Sequence, residues 1–148
     1  MQISIEGSEA WEQIVDIPGI WVLHNYGSDQ APLSCRPNGL CTGMNGGYQA
    51  INLAYLLGCT RIVLLGYELA DGSAQTHWFG DHPIKTNPGL FPHMRRHFEQ
   101  LAPVLRKKGV AVWNASANTA LKCFPRMSLD EVQRESMVTD PARAGVPA

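Results

Sequence analysis

Hydrophobic and polar positions in the first half of the chain predict two strands with one helix between them. The short apolar run 19–24 ends in polar residues and predicts a buried strand, and residues 25–42, which contain Gly, Pro, Ser and Asn, predict a long loop. Residues 48–57 carry apolar side chains on one helical face and predict a helix that ends at Gly58. The aliphatic run 61–66 predicts a strand that is covered on both faces.

The second half predicts a long loop, a helix, a strand and a last short helix. The loop covers 67–89, and the helix covers 90–108, with Pro103 expected to kink or break it. Its apolar stripe consists of Phe91, Met94, Phe98, Leu101 and Leu105. A strand over 110–113 and a polar turn over 114–118 follow, and Ser128 with Glu131 forms a capping box that opens a helix over 129–135.

Strands that alternate with helices in this way predict a parallel sheet. We therefore expect an α/β protein with a Rossmann-like three-layer fold and a small, mainly parallel sheet. Residues 1–137 are expected to form one domain, and the Pro- and Ala-rich residues 138–148 a disordered tail. Ligands of such folds bind beyond the carboxyl ends of the strands, where the loops over 24–42, 67–89 and 114–118 would meet.

Composition and charge narrow the class of protein. The chain has 148 residues, with 12 Lys and Arg against 13 Asp and Glu, so no positive excess favours binding of nucleic acid. No apolar run approaches the ~20 residues of a membrane span, and Glu6, Glu9 and Glu12 interrupt the place of a signal peptide's apolar region. We therefore expect a cytoplasmic protein that does not insert into membranes.

The four cysteines predict no structural metal site, because no Cys-x-x-Cys pair is present. Cys35 and Cys41 are close enough in sequence for a disulfide, but nothing indicates an oxidising compartment, and reduced thiols are expected.

The first candidate site is the glycine-rich turn before the first helix. Backbone N–H groups and the helix dipole make such a turn an anion site, and Gly43, Gly46 and Gly47 would let a phosphate approach the backbone. Thr42 and Asn45 would add side-chain hydrogen bonds. The turn matches neither the dinucleotide fingerprint nor the Walker A motif, and the alternative is a turn needed only for packing.

The second candidate site is the segment 76–83 of the long loop. His77, Asp81 and His82 lie beside Trp78, a combination that suits acid–base chemistry next to a stacked base. Three metal ligands are an alternative, but the spacing matches no standard zinc motif, and we assign no metal ligand. A third interpretation is that the imidazoles only tie down the loop.

The third candidate is Glu68, which follows Tyr67 at the carboxyl end of the predicted strand 61–66. A carboxylate there would point into the ligand crevice and hold a ribose hydroxyl, a metal or a catalytic proton. The alternative is a solvated side chain at the end of a strand.

Three stretches resemble a known group of proteins: NGGYQAINLA (45–54), IVLLGYE (62–68) and HWFGDH (77–82). They are similar to phage and prophage proteins related to the DUF115 group, which includes the MptE-like 6-hydroxymethylpterin diphosphokinases. The glycine turn, helix and strand are also similar to bacterial sialyltransferases that use CMP-sialic acid. The resemblance covers about residues 43–125, but relatives have a longer amino-terminal part and often Ser where this chain has Gly46.

The resemblance implies a nucleotide or nucleotide-sugar ligand and a transferase of glycosyl- or diphospho-transfer type. It places Gln49, with Gly43, Asn45, Gly46 and Gly47, at the phosphates or base of the ligand. From the residues themselves, Trp78 or Tyr67 would stack the base and Asn114 would join the binding site, while His77, Asp81, His82 and Glu68 are the candidate catalytic residues. The cofactor is left open, with Mg²⁺ as the candidate ion.

The same resemblance suggests the host cytoplasm of a phage, and a homo-oligomer is a further expectation. A phage protein that sequesters a nucleotide without chemistry, and a structural protein with a vestigial pocket, are the alternatives to a transferase.

Overall fold

A computed structural model describes residues 2–5, 18, 20–27, 31–70 and 88–139. The strands in chain order are β1 (Gln2–Ile5), β2 (Ile20–Asn25), β3 (Gly39–Leu40), β4 (Arg61–Leu64) and β5 (Ala111–Asn114). The helices are α1 (Gly46–Leu56), α2 (Phe91–Lys107) and α3 (Leu129–Thr139), and a 3₁₀ turn, Pro88–Leu90, leads into α2. Helix α3 ends four residues beyond the predicted bound of Glu135, and residues 140–148 lie outside the described part of the chain.

Every strand pair in the described residues is parallel, as the alternation of strands and helices predicts. Strands β1, β2 and β3 form one sheet in that order, and β4 pairs with β5 in a second sheet. Helix α1 connects β3 to β4, and α2 lies in the connection between β4 and β5. Val63 of β4 is in register with Trp113 of β5. The chain is therefore an α/β protein built on small parallel sheets.

The first two helices end as their glycines predict. The N–H of Gly58 donates to Tyr55 O and the N–H of Cys59 to Ala54 O, which is the Schellman arrangement, with φ of 84° at Gly58. Gly109 ends α2 in the same way, with φ of 76°. Both ends need a residue that adopts the left-handed conformation without strain, which is why glycine stands at each.

Pro103 does not break α2, which excludes one of the two predicted outcomes, a kink or a break. The helix continues through it to Lys107. Proline removes the hydrogen bond to the carbonyl of Glu99, but Pro103 and Glu99 are both exposed, so water can reach that carbonyl. Phe98, Leu101 and Leu105 of the predicted stripe are fully buried on the other face and keep the helix in place.

Strand β4 is shorter than predicted and is not covered on both faces. It ends at Leu64, which is buried, whereas Arg61 is exposed and Leu65, just beyond the strand, is 56% exposed. An aliphatic run has the same pattern whether one or two faces are covered. In the described residues β4 has only β5 as a neighbour, so the sheet is too narrow to bury the whole run.

The hydrophobic core lies between α1, α2 and the β4–β5 pair. Tyr48 and Ile51 of α1 and Phe98 of α2 are buried together, and the rings of Tyr48 and Phe98 lie 5.3 Å apart. Phe124, from the segment after β5, completes this aromatic cluster. The core therefore holds α1 against the segment that follows β4.

Asn52 is a buried polar residue that ties the loop before β3 to α1. Its Oδ1 accepts hydrogen bonds from Ser34 N at 3.0 Å and Cys41 N at 2.9 Å, and its Nδ2 donates to Ser34 O at 3.0 Å. All three bonds lie inside the protein, where an unsatisfied polar group would be costly. Asn52 thus fixes the chain that enters the glycine-rich turn.

None of the helices in the described residues is long and apolar enough to cross a membrane.

Candidate functional site

A cleft of about 240 Å³ opens beside the carboxyl end of β4. The start of α1, the segment that follows β4 and the first turn of α2 form its walls. Its lining residues are Asn45, Gly47, Gly66, Tyr67, Glu68, Leu69 and Phe91. Four of these, Asn45, Gly47, Tyr67 and Glu68, are residues that the sequence predicts as site residues. The cleft lies at the strand edge where ligands of parallel α/β folds bind.

The amino-terminal end of α1 presents backbone N–H groups to this region. Asn45 caps the helix, since its Oδ1 accepts a hydrogen bond from Tyr48 N at 2.9 Å and its Nδ2 donates to Gly43 O at 3.0 Å. The N–H groups of Gly46 and Gly47 have no acceptor in the described part of the chain. Free N–H groups at the positive end of a helix dipole attract anions.

The three glycines of the turn have different roles. Gly43 has φ of 50°, and a Cβ there would lie 2.2 Å from the Tyr48 ring, so packing and backbone conformation both require glycine. A Cβ at Gly47 would lie 2.7 Å from Cε1 of Tyr67. A Cβ at Gly46 would meet nothing within 4 Å, so no neighbour in the described residues requires glycine there. Packing therefore accounts for Gly43 and Gly47 but not for Gly46.

Tyr67 joins the end of β4 to the start of α1. Its hydroxyl donates to Gly47 O at 3.0 Å, and its N–H donates to Ser116 Oγ at 2.8 Å. The ring lies edge-on to Phe98 at 6.2 Å, and burial raises the pKa of the Tyr67 hydroxyl. Because the hydroxyl is neutral and already engaged, Tyr67 contributes a fixed wall rather than an acid or base.

Thr119 holds the same wall from the turn after β5, and sequence reasoning missed this role. Its Oγ1 donates to Tyr67 O at 2.6 Å and accepts from Leu121 N at 3.0 Å and Asn114 Nδ2 at 3.1 Å. The residue is 7% exposed. The sequence shows only a polar turn after a strand, and nothing in it identifies Tyr67, 52 positions away, as the partner.

Glu68 is the one carboxylate among the described residues that line the cleft. Its side chain is exposed, while its backbone carbonyl accepts a hydrogen bond from Ala120 N at 2.7 Å. The backbone is thus fixed and the carboxylate is available to a ligand.

Asn114, Thr42 and Gln49 do not line the cleft, although the sequence predicts them as binding residues. Asn114 is fully buried, with its Oδ1 accepting from Ser116 N at 3.0 Å and its Nδ2 bonded to Thr119, so contact with a ligand would require this turn to open. Thr42 is buried, with its N–H donated to Gly27 O, and Gln49 is half-buried on α1.

The predicted catalytic residues His77, Asp81 and His82, together with Trp78, lie outside the described residues. Their roles therefore remain predictions. Within the parts of the chain that the structure does describe, no group of three His, Cys, Asp or Glu side chains is arranged to hold a metal ion.

Backbone strain is concentrated next to the cleft. Among the described residues, Met44 and Leu69 are the non-glycine residues with positive φ, at 65° and 45°. Met44 precedes the capping Asn45, and Leu69 lines the cleft itself. Each such conformation costs on the order of 1–3 kcal/mol and persists where surrounding contacts enforce it, which is typical of functional sites.

The cysteines supply no activated thiol near the cleft. All four are free, with Cys35 and Cys59 exposed, Cys41 buried and Cys123 half-buried. Burial raises the pKa of Cys41, and it raises that of Cys123 to about 11. Both of these thiols are therefore protonated at neutral pH, which makes them poor nucleophiles.

No protein-family model, no curated protein and no solved structure matches this chain. Its function is therefore inferred from its own residues and their geometry.

Proposed function

We propose that this protein binds a nucleotide or nucleotide sugar in the cleft beside β4, with a phosphate at the amino-terminal end of α1. The observation that carries the proposal is the pair of N–H groups at Gly46 and Gly47, which have no acceptor in the described residues and belong to the helix start whose Gly47 lines the cleft together with Glu68. Helix dipole and N–H groups attract the phosphate, and the Glu68 carboxylate accepts hydrogen bonds from ligand hydroxyls.

The chemistry we propose is glycosyl or diphospho transfer, in the host cytoplasm of a phage. Support for this part comes from the sequence, through the His77–His82 segment and the resemblance to MptE-like diphosphokinases and sialyltransferases. The proposal includes a three-layer Rossmann-like arrangement, in which the helices pack on the small parallel sheets. The parallel pairing within each sheet and the helices between β3, β4 and β5 support that arrangement.

Binding without chemistry is the second candidate function. It is favoured by the described part of the cleft lining, in which Glu68 and Tyr67 are the titratable residues and the Tyr67 hydroxyl is engaged by Gly47 O. A protein that sequesters a nucleotide needs only the N–H groups and the shape of the cleft. Turnover separates the two functions, because the transferase converts its donor and a sequestering protein releases the ligand unchanged.

A substitution at Gly46 tests the phosphate site directly. Gly46 is the first residue of α1, where proline is tolerated because its missing N–H has no helical partner and its φ suits the helix. The preceding Asn45 has φ of −157° and ψ of 156°, which is compatible with a following proline. Gly46→Pro therefore removes one proposed phosphate donor while keeping the fold, and Gly46→Ala keeps the donor.

The measurement is ligand affinity by thermal shift and calorimetry across CMP, CDP, UDP-glucose, GDP and ATP. We expect at least one to bind the wild type, Gly46→Ala to bind within a few-fold of it, and Gly46→Pro to bind about tenfold more weakly, as expected for one lost charge-assisted hydrogen bond. Equal affinity of the Pro and Ala variants would place the phosphate elsewhere. Failure of every nucleotide to bind the wild type would overturn the proposed function.

A further inference from the structure

Leu69 occupies an unusual position at the edge of the cleft. It lines the cleft and has φ of 45°, a conformation that favours glycine over a branched side chain. The two residues before it are held by the turn after β5, through Thr119 Oγ1 to Tyr67 O and Ala120 N to Glu68 O. Those bonds fix the chain as far as Glu68, and another contact must keep Leu69 in its left-handed conformation.

Arg95 makes that contact from α2. Its Nη1 donates to Leu69 O at 2.5 Å in a partly buried hydrogen bond. Arg95 lies four residues after Phe91 in α2, so the two side chains lie on the same face of the helix. Phe91 lines the same cleft as the segment that follows β4. One face of α2 therefore supplies a wall of the cleft and the hydrogen bond to the other wall.

We propose that Arg95 is a positioning residue, which holds Leu69 in its left-handed conformation and so sets the width of the cleft between Leu69 and Phe91. The effect on nucleotide affinity rests on the proposed function, whereas the effect on the Leu69 backbone does not. Without Arg95, Leu69 relaxes toward an ordinary backbone conformation, and a ligand must restore the strained one before it fits.

The backbone of Leu69 is measured first, without any ligand. The ¹³Cα and ¹³Cβ chemical shifts of Leu69 report its backbone conformation in wild type, Arg95→Ala and Arg96→Ala. Arg96 is the matched control, because it is the neighbouring exposed arginine and its removal changes the charge equally. We expect left-handed shifts in wild type and Arg96→Ala, and a move to ordinary values in Arg95→Ala. Unchanged Leu69 shifts in a folded Arg95→Ala protein would overturn the proposal.

Leu69→Gly separates positioning from a general loss of structure. Glycine adopts positive φ without strain, so the cleft no longer depends on Arg95 to the same degree. With CMP as the probe, we expect Arg95→Ala to weaken binding about tenfold in the wild-type background and by a much smaller factor in the Leu69→Gly background. The comparison is between these two factors, because Leu69 lines the cleft and Leu69→Gly changes the affinity by itself. If Arg95→Ala causes the same loss of affinity in the wild-type protein and in the Leu69→Gly variant, the positioning role is contradicted.

The two proposals fail in different ways. If wild type binds neither CMP nor any other nucleotide tested, the proposed function is wrong, and the chemical shifts still decide whether Arg95 holds Leu69. If wild type binds CMP and the Arg95→Ala protein binds it equally well, the positioning role is wrong and the proposed function stands. Arg95→Lys, which keeps a donor of shorter reach, is expected to bind with intermediate affinity.

Discussion

Single residues at the start of α1 have separable tasks, although three of them are glycine. Gly43 is required by its positive φ and by the Tyr48 ring, and Gly47 by the Tyr67 ring. Gly46 is required by neither, and its N–H has no acceptor among the described residues. The sequence leaves open whether this turn is an anion site or a packing device. In the structure, packing accounts for Gly43 and Gly47 but not for Gly46, where the anion site stays a proposal.

The four thiols also differ at the residue scale, and alkylation measures the difference. Iodoacetamide reacts with the thiolate form of cysteine. Burial limits access of the reagent, and a high pKa keeps the thiol protonated, so each slows the reaction. At mildly alkaline pH we expect rapid labelling of the exposed Cys35 and Cys59, and slow labelling of Cys41 and of Cys123, whose pKa is about 11. Peptide mapping by mass spectrometry identifies the sites, and labelling in guanidinium is the control that should reach all four. If Cys123 were labelled as fast as Cys59 in the folded protein, the half-buried environment and raised pKa of Cys123 would be contradicted.

At the scale of elements, helix ends are where sequence and structure agree best. Asn45, Gly58 and Gly109 stand where local backbone chemistry requires them. Each of these signals acts within one helical turn, so the rest of the fold does not change it. The break that was one of the two expected effects of Pro103 does not occur, because its effect depends on which face of α2 carries it, and that is a property of the packed helix.

The capping box of α3 predicts a pH-dependent helix. The Glu131 carboxylate accepts hydrogen bonds from Ser128 N and Ser128 Oγ, both at 2.7 Å, and these bonds lower the pKa of Glu131. A lowered pKa in the folded state means stabilisation that is complete above the ordinary glutamate pKa and is lost as pH falls through the lowered value. We therefore expect the helical circular dichroism of α3 to decline in that acidic window.

Two variants test the capping box. Glu131→Gln keeps a hydrogen-bond acceptor but has no titrating charge. The part of the acid-induced loss of helical signal that is due to the capping box should therefore be absent in this variant. Ser128→Ala removes the cap and should cost about 1 kcal/mol of helix stability at neutral pH. An acid transition of the same size and midpoint in Glu131→Gln would assign it to other groups.

At the scale of the whole molecule, one buried turn connects β5 to the cleft. Thr119 bonds Tyr67, Asn114 and Leu121, and Ser116 bonds the N–H of Tyr67. These contacts join parts of the chain that are 49 and 52 positions apart. The cleft wall therefore depends on the pairing of β4 with β5 rather than on the local sequence of residues 66–69.

Thr119→Val tests this connection, since it replaces the hydroxyl by a methyl group of similar size. Buried partners at Tyr67 O, Leu121 N and Asn114 Nδ2 each lose a hydrogen bond, and we expect the free energy of unfolding to fall by about 2–4 kcal/mol. Chemical denaturation measures the change. Thr60→Val is the matched control at an exposed threonine and should shift stability by less than about 0.5 kcal/mol. Similar effects of the two substitutions would show that Thr119 is not a structural hub.

Much of the candidate site could be predicted from the sequence, because several of its residues belong to short contiguous segments. The glycine-rich turn before the first helix and the position of Glu68 after an aliphatic strand follow from local rules. The cap at Asn45 was not predicted, because the helix was expected to begin at Tyr48. Leu69 and Phe91 could not be predicted as cleft residues, because the sequence does not distinguish an apolar residue in the core from one that lines a cleft. Asn114 looked like a binding residue, since a polar residue after a strand gives no sign of whether it is buried.

The sequence by itself determined the order of three strands and three helices and the glycines that end two of the helices, because these depend on residues within a few positions of one another. It did not predict β1, or β3 within the expected loop over 25–42. Tertiary structure alone decided, in the described part of the chain, that Arg61 and Leu65 at the two ends of the β4 run are exposed, that Asn52 and Asn114 turn inward, and that Arg95 reaches Leu69. Those outcomes depend on hydrogen bonds and packing between segments far apart in the chain. Their geometry exists only after the sheets and helices have come together.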